Sequence, residues 1–130
     1  YASTGTLHGT LDALRNLLEE LGHPFKPGNS VGIKLHWGER GNKSYLDPVY
    51  AREIVRWLAS QSIEAFVCDT TVLYSGGRRN AKDALETAAL NGYTPEFLGC
   101  PVIIADGMDG RDVIDVFSDS PTSRPSRHQP

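Results

Sequence analysis

Val31-Gly-Ile-Lys-Leu-His-Trp-Gly-Glu-Arg-Gly-Asn42 is the stretch that decides the fold class. Val31–Trp37 is an apolar run, rich in residues that favour strands, and it breaks into the polar cluster Gly38-Glu39-Arg40-Gly41-Asn42. The same change recurs twice. Ile63–Val67 runs into Cys68-Asp69-Thr70, and Pro101–Ala105 into Asp106-Gly107-Met108-Asp109-Gly110. Amphipathic helical spacing separates the three runs. Strands alternating with helices imply a parallel sheet, and such sheets bind ligands beyond the carboxyl ends of their strands. The expectation is an α/β domain: a three-layer, mainly parallel sheet flanked by helices, with its polar clusters on one edge.

The helices read as follows. Thr4 or Thr6 caps a first helix with Leu7, Leu11, Leu14, Leu18 and Leu21 on one face, stopped by Gly22 and Pro24. Pro27-Gly28-Asn29 turns the chain into the first strand. Asp47-Pro48 pairs a capping carboxylate with proline at the first helical position, and Ala51, Ile54, Val55 and Leu58 form the buried side of that helix. Asn80 caps a third helix, buried through Ala81, Ala84, Leu85 and Ala88 and ended by Gly92. Val113–Phe117 reads as a short fourth apolar run. From Ser118 onward the sequence is Ser, Pro and Arg with little that is apolar, so residues 1–117 form the domain and 118–130 a disordered tail. A leading helix without a strand before it, and only three strands, suggest an incomplete domain. Tyr1-Ala2 reads as the stub of a further strand.

One hundred and thirty residues suffice for one buried core. Thirteen basic against sixteen acidic residues give a net charge of −3 without a basic stripe, which argues against nucleic acid. The apolar runs are far shorter than the ~18 residues of a membrane span, so the chain reads as soluble, and with no signal peptide visible the expectation is a cytoplasmic protein. Cys68 and Cys100 are too few for a disulfide framework and read as reduced core thiols. Trp37, Trp57 and Phe66 read as core.

The polar clusters carry the candidate site. Lys34 and His36 lie two apart, on one face of a strand, opposite Ile33 and Leu35. A cation there is costly unless it is paired or reaches a pocket. Two readings stand side by side: Lys34 pairs with a carboxylate such as Asp69 while His36 caps a backbone carbonyl, or both serve a ligand. Glu39 and Asn42 follow on a glycine-flanked loop, and Asp69 and Asp106 end the other strands. His36, Glu39, Asp69 and Asp106 are candidate ligands for a metal ion. Tyr74-Ser-Gly76-Gly-Arg78-Arg79-Asn80 leads into a helix amino terminus. Its amides and guanidinium groups suit a small anion, although it is not a Walker A loop.

These blocks resemble one family, the domain of unknown function 362, described as uncharacterised iron–sulfur-centre proteins. The resemblance rests on Val31–Asn42, Asp69–Asn80 and Pro101–Gly110, and spans about residues 1 to 117. It implies the amino-terminal α/β part of an iron–sulfur protein, redox or electron-transfer linked. In such proteins a later cysteine-bearing module holds [4Fe–4S] clusters. Two cysteines cannot supply the four thiolates, so this chain alone is expected to hold no cofactor, its partner being the missing carboxyl-terminal part of the same protein. Beyond Phe117 the resemblance stops, and the tail reads as a truncated or shifted reading frame. A module that binds a small anion or a metal, without catalysis, is the alternative.

Overall fold

Helices and strands alternate along the chain as the apolar runs require. The structure, a computed structural model, describes residues 7–73, 76–112 and 114. The element order is α1 (Leu7–Leu21), β1 (Ser30–Lys34), α2 (Pro48–Ala59), β2 (Glu64–Asp69), α3 (Ala81–Leu90), α4 (Pro95–Leu98) and β3 (Val102–Ile104). The three strands form one sheet in the order β1-β2-β3, and both pairings are parallel. The α/β class and the adjacency of the three strands are as expected. The caps at Thr4 or Thr6, the run at Val113–Phe117 and the tail lie outside the described residues, Ile114 excepted.

Local chemistry accounts for the helix ends. Asp47 accepts a hydrogen bond from the Val49 amide with Pro48 at the first helical position, and Asn80 accepts from the Asp83 amide. The short α4 follows the same logic, with Thr94 as cap, Pro95 in the first turn and Gly99 left-handed at its end. At the end of α2, the Ile63 amide donates to the Leu58 carbonyl and the Ser62 amide to that of Ala59. This is a Schellman ending, which puts Ser62 at φ +60°, a position that favours glycine. We expect Ser62→Gly to raise stability by about 0.5–1 kcal/mol, the relief of a left-handed side chain less the added chain entropy. A lower thermal midpoint would show that the serine side chain itself is used.

Side chains from alternate strand positions divide between the two sheet faces. Ile33, Leu35, Ala65, Val67, Val102 and Ile104 pack with Ala51 and Val55 of α2, Ala84 and Ala88 of α3, and Leu98 of α4. Trp37 and Tyr93 complete this core. A second cluster, Trp57, Leu58 and Ile63, receives Leu18 of α1. The other sheet face carries Gly32, Lys34, Phe66, Cys68 and Ile103. Among the described residues no helix packs there, so the second helical layer is not among them.

Several expectations change in detail. β1 stops at Lys34, which leaves His36 and Trp37 in the loop beyond it. The first-helix periodicity is right, but none of its residues is buried; Leu7, Leu17 and Leu21 are exposed. Leu85 is exposed too, and Thr87 takes the buried position instead. Phe66 is half-buried over Gly32 rather than in the core, where a Cβ on Gly32 would fall 2.9 Å from its ring. Glu53 of α2 is buried and bonded to Arg15 of α1, a clamp between those helices.

Candidate functional site

The carboxyl ends of the strands carry a connected set of charges. Asp69 ends β2 with only 3% of its surface exposed. Its Oδ1 accepts from Lys34 Nζ at 2.6 Å and from the Thr70 amide at 2.9 Å. Its Oδ2 accepts from Arg78 Nη1 at 2.6 Å. Arg78 is equally buried, and its Nε donates to Glu39 Oε1 at 2.8 Å. A chain of alternating charge, Lys34–Asp69–Arg78–Glu39, thus joins β1, β2, the loop after β1 and the loop before α3. The Lys34 side chain stays 58% exposed at one end.

Loop geometry brings these groups together. Thr87 of α3 donates from its hydroxyl to the Gly77 carbonyl at 2.6 Å, and the Val72 amide donates to the Arg78 carbonyl at 3.0 Å. A Cβ on Gly77 would meet the Thr87 hydroxyl oxygen at 2.9 Å, so glycine permits the approach. Asn91 Nδ2 donates to the Trp37 carbonyl and holds the end of α3 against the loop after β1.

Asp106 stands on the neighbouring loop and accepts from the Thr71 amide and hydroxyl. Burial alone would push its carboxyl up. The Thr71 hydroxyl and amide, with its own amide, outweigh that and hold it below its ordinary value. Asp106 therefore ties the loop after β3 to the loop after β2.

The remaining candidates lie outside this network. His36 is exposed and accepts at Nδ1 from the Gly38 amide at 3.1 Å, so it meets a backbone amide and not a carbonyl. Asn42 is exposed and accepts from the Ser44 amide. Gly76, Arg79 and Asn80 are exposed, and Asn80 is occupied as the α3 cap. Tyr74 lies outside the described residues. The two guanidinium groups of the loop are thus split, Arg78 inward and Arg79 outward. The pairing of Lys34 with Asp69 matches one half of one of the two readings open from the sequence; the other half, His36 on a carbonyl, does not hold. The inward Arg78 was not foreseen, and a signal for it was available: two carboxylates flanking one lysine call for a second cation.

Among the described residues, no three His, Cys, Asp or Glu side chains group as a metal ion would require. Cys68 and Cys100 are buried free thiols, and burial pushes both up, away from thiolate. Two protonated thiols do not fit a [4Fe–4S] cluster, which takes four thiolates.

A parallel sheet whose carboxyl edge carries paired charges defines a class, the α/β domains with a polar site at the strand ends. The chain belongs to the family described as Domain of unknown function (DUF362), whose pattern matches residues 31–124, more than half of its length. The match runs past Phe117 to Arg124 and so corrects the expectation that the likeness ends at Phe117. Comparison with curated proteins and with solved structures gives no match. No helix among the described residues is long and apolar enough to cross a membrane.

Proposed function

We propose that this chain is the α/β part of a cytoplasmic iron–sulfur protein of the family, redox or electron-transfer linked, and that its strand-end edge binds a small anion. The observation that carries the anion is how the acidic oxygens are used. Asp69 accepts three internal donors, Glu39 accepts from Arg78, and Asp106 accepts from Thr71. Carboxylates engaged in this way make poor metal ligands, whereas the Lys34 ammonium reaches solvent beside them and Arg79 is exposed on the loop that carries Arg78. Arg78 acts here as a positioning residue that holds Asp69, and through it Lys34. The cluster belongs on this reading to a cysteine-bearing part of the same protein, with no role for nucleic acid or membrane.

The experiment is a titration of the 130-residue chain with inorganic phosphate, followed by amide and side-chain shifts. Saturable shifts at Lys34 and Arg79 are expected, and Lys34→Met should abolish the shift at Arg79 while costing no more than about 1 kcal/mol of stability. Shifts that persist in Lys34→Met would remove the anion site. Anaerobic incubation with iron and sulfide should leave the chain colourless. Stoichiometric iron and sulfide bound to it would overturn the assignment of the cluster to another part of the protein. An anion-binding module with no redox role is the second reading, favoured by the two buried, protonated thiols.

A further inference from the structure

As a paired strand β1 ends at Lys34, but the alternation of its side chains runs further. Ile33, Leu35 and Trp37 all pack in the main core, while Gly32, Lys34 and His36 are exposed. The Leu35 amide still donates to the Cys68 carbonyl. The chain therefore stays extended through His36, whose side chain leaves on the same side as that of Lys34. Two residues along an extended chain are about 7 Å apart. The face they share is the one that no helix covers among the described residues.

The backbone behind His36 is fixed. Trp37 is fully buried, and its carbonyl accepts from Asn91 Nδ2 at 2.9 Å. The Gly38 amide donates to His36 Nδ1 at 3.1 Å. A ring nitrogen that accepts a hydrogen bond carries no proton, so the proton of the neutral imidazole is on Nε2. One backbone bond thus sets the tautomer and leaves Nε2–H as a donor, without a partner among the described residues. A histidine that binds a metal through Nε2 shows the reverse arrangement, with Nδ1–H donating to an acceptor. His36 presents a proton where a cation would need a lone pair.

We propose that His36 is a second donor of the anion site, giving its Nε2–H to one oxygen of an oxyanion that also meets the Lys34 ammonium. The inference rests on the anion reading above and assigns that site a further residue. Lys34 Nζ spends one of its three N–H groups on Asp69 and has two to give. Its flexible stem brings the ammonium toward the imidazole, which is held in place from behind. The ligand class is an oxyanion with at least two oxygens, such as a phosphate or a carboxylate.

The test is a titration of the nitrogen-15-labelled 130-residue chain with inorganic phosphate, read at the His36 ring nitrogens and the Lys34 ammonium. Before phosphate is added, the neutral ring should show a protonated Nε2 and a bare Nδ1. Phosphate should then shift Nε2 with the same saturation as Lys34. His36→Asn separates binding from structure. Asparagine can accept from the amide two residues on, but its own amide stops short of the place of Nε2. The variant should keep the fold and bind phosphate at least about tenfold more weakly, the ratio expected for one lost hydrogen bond to a charged group. If it does not fold, the ring nitrogens of the unaltered chain decide. Saturation at Lys34 with no change at His36 Nε2 would overturn the role of His36 and leave the anion site standing. Equal phosphate affinity in His36→Asn, or a neutral ring protonated on Nδ1, would overturn it as well. No saturable shift at either residue would overturn both this inference and the anion reading.

Discussion

Replacement of Asp69 by alanine is expected to lower the unfolding free energy by about 3–5 kcal/mol, the cost of leaving a buried cation without its counter-charge. The stranded group is Arg78, 3% exposed, and not Lys34, whose side chain is 58% exposed. Glu39 still accepts from Arg78 but is itself partly open to water. The double variant Asp69→Ala with Arg78→Met removes both charges and should recover most of the loss. Lys34→Met should cost no more than about 1 kcal/mol, as for other ion pairs that water reaches. Denaturant melts of these proteins provide the check. A loss in Asp69→Ala that Lys34→Met restores and Arg78→Met does not would make Lys34 the dependent cation and refute this account of the network.

Gly38→Ala is expected to cost about 2–5 kcal/mol, the sum of a left-handed alanine and an overpacked contact. Gly38 sits at φ +88°, and an added Cβ would fall 2.7 Å from Cδ1 of Tyr45 and 2.9 Å from its Cβ. Tyr45 packs against the main core and has little room to give. Gly41, in the same loop at φ +83°, has nothing within 4 Å of the added Cβ. Gly41→Ala should therefore show the backbone part alone, about 1–2 kcal/mol. The difference between the two melts measures the Tyr45 contact. Equal losses would mean that the loop carrying Glu39 moves aside freely.

The elements whose ends are governed by local chemistry were legible. Asp47-Pro48 and Asn80 mark the starts of α2 and α3 because a side-chain oxygen there takes an amide that no helical carbonyl can reach. Thr94-Pro95 with Gly99 carried the same signal for α4, but four residues are too few for periodicity to reinforce it. What could not be read was depth. The leucine spacing of α1 is helical, yet only neighbours decide whether a face is covered, and α1 has none deep enough to bury it. Strand length failed for a related reason. Val31–Trp37 keeps an apolar residue at every second position through Trp37, but its pairing with β2 ends at the Leu35 amide, and Trp37 reaches the core from the loop beyond.

At the strand ends Lys34, Glu39, Asp69 and Arg78 meet in one network. Their roles did not follow from residue type. Arg78 and Arg79 are identical neighbours in sequence, and only the buried Asp69 and the partly buried Glu39 draw one of them inward.

The order β1-β2-β3 has a consequence for how the chain is made. Each strand lies beside its predecessor, so no later strand must be threaded between two earlier ones. During synthesis from the amino end, β2 can dock on β1 as soon as α2 has emerged, and β3 on β2 once α3 and α4 have followed. Such assembly keeps each partner close along the chain, which favours quick pairing over long searches. It also makes the sheet extensible. A further strand can join the outer side of β1 or β3 without disturbing any pairing already formed.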